Sequence, residues 1–535
     1  MLTLAAGSFA TLDWIVVGAY MLVLLGSGVW FARMEPKSAS EYFLAGRRMP
    51  AWAVAISIIA SSLSVATFIG VPEQTFKDGG NLTYLSTNIG GFLAVLVVAY
   101  VFIPAFYKQN CTTIYEVLEH RFGQTGKLAA SATFMIGRLF ASGARVYIAA
   151  IPLAMIMFGV EESREPVYLI SAIAALSVVA VGYTLIGGIA SVIWTDVIQT
   201  VVLLTAILAG VALMLAKIPA PIDQIVATLN APGPGLPSKL TVLDFSLDPA
   251  AEFTVWTALL GFMLLNLAAY GTDHDMVQRM LTCKNAVQGG RSAITAIVLA
   301  VPIVALFLIV GLLLHVFYKR PDLMMASAPT YAPPDGQRTL LTFVLNEFPT
   351  GLAGLMVAGL FAVGLGSLNS AINAMAATAI KDFYMRIEPG RTDRHYLVAS
   401  RWATLAWGVA LAGFAVLCIY WMRAHPQTTL LSFALKVMTF AYSGLLAVFV
   451  TALFTRRGNT QSCVAALVTG FVVIGLMDPI VWSLWAGQIA FRGETLADLK
   501  IAFPWHMLLA TVLATTVCCI PGPRPSDSQT PLPTA

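Results

Sequence analysis

Charged side chains are scarce here: 31 Lys and Arg with 27 Asp and Glu make up 11% of 535 residues, against roughly 25% in soluble domains. That scarcity excludes a soluble fold, and the small net charge of +4, spread through loops, gives no reason to expect a nucleic-acid partner. Cysteine is sparse as well, six in all, and none stands at metal-ligand spacing with histidine. The adjacent Cys518 and Cys519 lie in an apolar run, so the thiols read as inert helix residues. No HExxH-type or paired-aspartate spacing appears within apolar segments, which argues against an intramembrane hydrolase. A basic leader is missing before the first apolar run at 13–32, which is long enough to span and reads as a helix, not a cleaved signal.

What fills the chain is apolar: 58% of residues, with a mean hydropathy of +0.81. This is the composition of an all-α polytopic membrane protein. Runs of spanning length fall near 13–32, 52–75, 84–107, 128–158, 167–186, 191–216, 254–274, 292–317, 351–384, 398–423, 429–454, 460–484 and 503–521, about 13 transmembrane helices. Two longer Pro-rich loops, 217–253 and 318–350, are expected to fold over one face, and the tail 521–535 reads as disordered. No soluble catalytic or signalling domain is expected. With the N-terminus outside, short inner loops hold Arg33, Lys37, Arg47, Arg48, Lys108, Arg121, Lys127, Arg279, Lys284, Arg291, Lys381, Arg386, Arg391, Arg394, Arg456, Arg457 and Arg524. Fewer lie outside, mostly in the two long loops. The positive-inside rule then places the C-terminus in the cytoplasm of a multi-pass cell-membrane protein.

Three spans carry residues that hydrocarbon disfavours. In 351–384, Gly364, Gly366, Ser367, Asn369, Ser370, Asn373 and Thr378 run down a helix that must pack closely or line an ion path. In 52–75 the middle reads ASSLSVATFIGVP, and the inner end of 254–274 reads NLAAYGTDHD. These are the second and seventh spans. Matched interrupted helices five spans apart point to an inverted repeat with a midplane site, where an unwound turn frees carbonyls to replace a small cation's water shell. The alternative is packing by small residues with an ordinary helix end.

Five ordered stretches resemble the sodium:solute symporter family, which includes sodium–glucose cotransporters and sialic acid and proline carriers. They are EYFLAGRRMPAW, PAFYKQNCTTIYEVLEHRFG, YTLIGGIASVIWTDVIQT, YGTDHDMVQRMLTCK and FPTGLAGLMVAGLFAVGLGSLNSAINAMAA. The similarity runs from about 40 to 452. It implies a five-plus-five inverted-repeat core over 52–454 (first repeat 52–216, second 254–454). Residues 1–51 then form an N-terminal extra helix and inner loop, 455–520 two C-terminal helices, and 521–535 the tail. It also implies coupling of inward sodium flow to uptake of a small polar organic solute by alternating access, with no cofactor beyond transported sodium, no enzyme activity and no obligate protein partner.

Carried over by motif, the main sodium site falls on carbonyls of Ala60 and Leu63, with Val363 opposite. The family's paired hydroxyls fall on Gly366, which has no side chain, and Ser367. Asn369 and Ser370 on the next turn could supply oxygens, and Asp196 matches an acid near a second sodium site. A carboxylate in a span costs roughly 2.5–3.5 kcal/mol, so Asp196 either serves an ion or caps the turn after Gly187 and Gly188. One sodium crossing ~100 mV gains about 2.3 kcal/mol before its concentration gradient is counted.

Arg138 and Arg145, seven residues apart in the fourth span, share a helix face. A guanidinium there either clamps a carboxylate in two-pronged geometry or pairs with an acid between helices. The pocket candidates are Ser62, Ser64, Thr67, Arg145, Asn266 and Tyr270. Asn266 matches a sugar-contacting asparagine of the glucose branch, but the acid that this branch places on the second core helix has no counterpart among Ser86, Thr87 and Asn88. Lys436 reads as a snorkelling lysine. His274 reads as a polar helix-terminal residue or a pH-tuning group. Rival readings are a proton-coupled carrier with Asp196 as relay and a transporter-like sensor.

Overall fold

The computed structural model describes residues 9–32, 44–111, 113–184, 189–233, 237–329, 336–425, 428–478, 481–482, 490–491, 494–495 and 500–520. Apart from a two-residue ladder pairing Ala490–Phe491 with Glu494–Thr495, the regular structure is helical. Its principal helices are α1 (Thr11–Ala32), α2 (Ala51–Ser62), α3 (Val65–Phe76), α4 (Thr83–Lys108), α5 (Glu116–Phe158), α6 (Pro166–Thr184), α7 (Ile189–Lys217) and α8 (Ile222–Asn230). Then follow α9 (Val255–Gly271), α10 (His274–Leu281), α11 (Ala286–Lys319), α12 (Gly336–Glu347), α13 (Leu352–Ile387), α14 (Asp393–Ala424), α15 (Leu430–Phe454), α16 (Thr460–Leu476) and α17 (Phe503–Cys519). Seven are long and apolar enough to cross a membrane alone, two further spans are bent helix pairs, and four are shorter apolar helices. Each falls on one of the apolar runs read from the sequence.

Both interrupted spans are broken where their chemistry suggests. α2 and α3 meet at 64°, with Leu63 (ψ 135°) and Ser64 (ψ 172°) extended between them. The Ser64 N–H donates to Thr67 Oγ1 at 3.3 Å, which satisfies one of the amides stranded at the start of α3. α9 and α10 meet at 56°, with Asp273 capping α10 by accepting the Asp275 N–H at 3.0 Å. Each half of the five-plus-five core therefore opens with a bent pair.

The seventh span does not end near 274, as its polarity suggested; it continues through α10 to Leu281, and all eight α10 residues are buried. The reason is pairing: the charges of HDMVQRML are met by partners distant in sequence, described below. Arg279 accordingly is not an inner-loop cation but is wholly buried.

α13 is the central element, with 94% of its apolar window buried, whereas α14 is only 33% buried and turns Trp402, Val409 and Leu417 outward. Lipid provides no hydrophobic drive between helices, so close approach depends on small residues. Its N-terminus is capped by another helix. Asp13 of α1 accepts from the Gly351 and Gly354 N–H groups at 2.7 and 2.8 Å, and its other oxygen accepts from Ala10 N. The 217–253 loop is partly helical: α8 buries Ile225 and Leu229, and Lys239 donates to the carbonyls of Thr75, Lys77 and Gly80 at 2.9–3.0 Å, capping the end of α3. The tail 521–535, the turn at Gly187 and Gly188, and the loop cations Arg33, Lys37 and Arg524 lie outside the described residues.

Candidate functional site

Where α13 crosses the α2–α3 break, Gly364 packs against the first residue of α3. A Cβ placed on Gly364 would sit 3.0 Å from Val65 Cγ2, just past Ser64, so the backbone around Val363 runs beside the unwound Leu63–Ser64 turn, with Ala60 in the last turn of α2. Ser367 is buried, and its hydroxyl donates to the Gly364 carbonyl at 3.1 Å. The other flank of α13 meets α7. A Cβ on Gly366 would lie 2.4 Å from Gln199 Oε1 and 3.4 Å from Asp196 Oδ1. The space of the missing hydroxyl is thus filled by the Gln199 carboxamide, one helical turn beyond Asp196. Buried Gln199 Oε1, Asp196 Oδ1 and Asn369 Oδ1 have no hydrogen-bond partner among the described residues. Gln199 was not singled out from sequence, because only the α7–α13 contact shows that it reaches Gly366.

Beside the break lies a cavity of about 140 Å³. All six predicted pocket residues, Ser62, Ser64, Thr67, Arg145, Asn266 and Tyr270, line it. Tyr84, Thr87, Asn88, Arg138, Met438 and Tyr442 line it too. Several of the hydroxyls and amides are already engaged: Ser62 donates to Ile59 O at 2.9 Å and Asn266 to Phe262 O at 2.8 Å. The two arginines differ sharply. Arg138 is held by Asp273 (3.0 Å) and by Asp275. Arg145, 9% exposed, has Met438 Sδ at 3.6 Å from Nη2, while Nη1 has no partner among the described residues.

At the α9–α10 break the buried charges form one network. Arg279 Nη1 donates to Asp275 Oδ1 (2.5 Å), its Nε to Ser57 Oγ (2.9 Å), and its Nη2 to Ser370 Oγ and, at 3.5 Å, to Asp196 Oδ2. Ser57 donates to the same Asp196 oxygen at 2.5 Å, and Tyr442 OH donates to Asp273 Oδ2. Such ions survive in a low-dielectric interior because each is paired and hydrogen-bonded. Asp196 is therefore tied to α2 and α10, and Ser370 is engaged by Arg279 and by the Gly366 carbonyl (2.9 Å). Asp275 and Tyr442 were not singled out in the sequence, where each looks like a helix-end or lone polar residue, and Arg279 was read there only as an inner-loop cation. Lys436 does not merely snorkel: its Nζ pairs with Asp478 at 3.1 Å. His274 is buried against the Tyr115 and Phe134 rings.

Comparison with known proteins places this arrangement. A model described as the sodium:solute symporter family matches residues 42–470. The sodium/sialic acid symporter NanT of Aliivibrio fischeri (strain ATCC 700601 / ES114) is 29% identical over 475 residues, 88% of each chain. The human sodium/iodide cotransporter is 27% identical over 474 residues, 87% of this chain and 69% of that one. Among solved structures, a sodium-coupled sialic acid symporter in a substrate-bound, outward-open state superposes with a TM-score of 0.77 at 23% identity, covering 96% of this chain and 98% of that one. With the family model spanning most of the chain and the paired helix breaks standing where its fold requires them, this protein belongs to the sodium:solute symporter family.

Proposed function

We propose that this sodium-coupled symporter carries a small organic anion, recognised through a carboxylate by Arg145. One observation carries the reading. Arg145 is a buried guanidinium at the cavity wall that faces no carboxylate and whose Nη1 has no partner among the described residues, whereas both terminal nitrogens of its neighbour Arg138 are ion-paired with aspartates. An unpaired buried cation is costly, and a carboxylate fits the guanidinium fork in two-pronged fashion. The relatives' names agree in kind, since sialic acid and iodide are both anions. Ser62, Ser64, Thr67, Asn266 and Tyr270 would contact the polar remainder of the solute.

In this reading sodium binds where α13 meets the unwound turn, held by carbonyls of Ala60, Leu63 and Val363 and by the Ser367 hydroxyl. Gln199 Oε1 and Asp196 Oδ1 supply the oxygens that Gly366 cannot, with Asn369 beside them. Ser370 acts through Arg279. Sodium bound at the break also fixes the cavity-lining Ser62–Ser64 turn, which couples ion and solute. The N-terminus lies outside and the C-terminus in the cytoplasm, as the loop cations favour. Nothing in the reading calls for catalysis.

Purified protein in liposomes, given an inward sodium gradient, tests this with N-acetylneuraminate, lactate, glucose and proline as probes. Accumulation of a carboxylate in sodium but not potassium, abolished in Arg145→Ala, is the expected result. Sodium-driven uptake of glucose that survives Arg145→Ala would overturn the anion reading. Uptake driven by a pH gradient without sodium would replace sodium with the proton.

A further inference from the structure

Away from the transport site, α9, α15 and α17 enclose an open groove of about 650 Å³. Leu260, Met263, Leu264, Val450, Val512 and Ile520 give it apolar walls. Thr515 and Thr516 also line it, but they turn their hydroxyls onto the Thr511 and Val512 carbonyls at 2.7 and 2.9 Å and so present methyl groups. Along α17 the groove runs from Leu508 to Ile520, a rise of about 18 Å. One leaflet of the hydrocarbon core is about 15 Å deep, half of its full thickness. The match is to a single acyl chain.

The far end is not apolar. Arg457, in the turn between α15 and α16, closes the groove beside the last residues of α17. It is exposed, its Nη1 reaches only the Cys519 carbonyl at 3.4 Å, and no carboxylate pairs with it among the described residues. A second guanidinium, Arg121, donates to the Arg457 carbonyl at 2.9 Å. A leaflet-long apolar slot ending in an unpaired cation has the polarity of a phospholipid lying along the helix.

We propose that this groove binds one anionic phospholipid, with an acyl chain between α9 and α17 and its phosphate on Arg457. Charge decides for an anionic over a zwitterionic headgroup, since a phosphatidylcholine carries its own cation to the same place. The site has a mechanical consequence. α9 belongs to a broken span, whereas α17 lies beyond the expected repeats, so the lipid bridges a bent span and a C-terminal helix.

Native mass spectrometry of the full chain, released from micelles holding equal phosphatidylglycerol and phosphatidylcholine of matched chains, tests this. About fivefold preference for phosphatidylglycerol is expected, the ratio set by one interfacial cation. Arg457→Gln should erase that preference, while Arg456→Gln, a neighbouring exposed cation that does not line the groove, should retain it. Val512→Trp, filling the slot from its lipid-exposed side, should lower retention of both lipids. Equal binding of the two lipids by the unmodified chain would overturn the proposal. So would equal loss in the Arg456 and Arg457 variants, since that would reflect general surface charge.

Discussion

Arg138 and Arg145 stand two turns apart on α5 but meet opposite conditions. Removing Arg138 leaves buried Asp273 without its ion-pair partner and Asp275 with Arg279 alone, and breaking buried pairs of this kind costs about 3–5 kcal/mol. Arg138→Ala should therefore lose most of its folded protein, seen as a large drop in melting temperature. Arg145→Ala removes a cation whose recorded contact is the Met438 sulfur and which faces no carboxylate among the described residues, so its melting temperature should stay near that of the unmodified chain or rise while anion uptake disappears. If both variants melt alike, the two arginines do not have the separate roles assigned here. Gly366 offers a second residue-level test. Gln199 occupies the place of its missing side chain, so Gln199→Ala should raise the sodium concentration for half-maximal uptake several-fold. Adding Gly366→Ser to that variant should restore it, because a hydroxyl then enters the vacated space. A half-saturation unchanged in both would remove Gln199 from the ion path.

The helices owe their contacts to positions where no side chain fits. A Cβ on Gly311 of α11 would lie 2.0 Å from the Pro72 carbonyl and 2.1 Å from Thr75 Oγ1, at the seam where Thr75 also donates to Leu308 O at 2.8 Å. Gly311→Ala should push α11 off α3 and cost about 1–3 kcal/mol, as overpacking does. Gly413 on α14 has nothing within 4 Å, and Gly413→Ala should be close to neutral. Thermal unfolding of the two variants in one detergent gives the comparison, and equal melting would mean that the seam yields. The same elements show what the sequence could and could not disclose. The α2–α3 break was legible because Ser61, Ser62, Ser64, Gly70 and Pro72 are poor company for lipid and weak helix formers together. α10 was not legible. Its charges looked incompatible with a span until Arg138 arrived from 135 residues away to neutralise Asp273. The pocket residues were found by motif, whereas Gln199 and Tyr442 matter only through contacts between helices, which no local pattern encodes.

Across the whole molecule, the buried network joins the two broken spans to each other and to α5, α7, α13 and α15. Ser57 on α2 and Arg279 on α10 bond to each other, so the halves on that side of the cavity are tied as one body. Their remaining bonds run outward: Arg279 to Asp196 on α7 and Ser370 on α13, and Asp273 to Arg138 on α5 and Tyr442 on α15. If the two broken spans move together when this side opens for solute release, the outward set breaks while the Ser57–Arg279 bond persists. Tyr442→Phe is the mildest cut, because the ring keeps its shape and Asp273 retains Arg138. Loss of one such hydrogen bond is worth about 0.5–1.5 kcal/mol, enough to raise the open population roughly two- to tenfold. Amide hydrogen exchange across residues 272–281 should accelerate by that factor, with little change in the rest of α15. Sodium, by holding the opposite state, should slow the exchange again. An exchange rate in 272–281 that ignores Tyr442→Phe would show that the bond is decoration on a span held shut by packing alone.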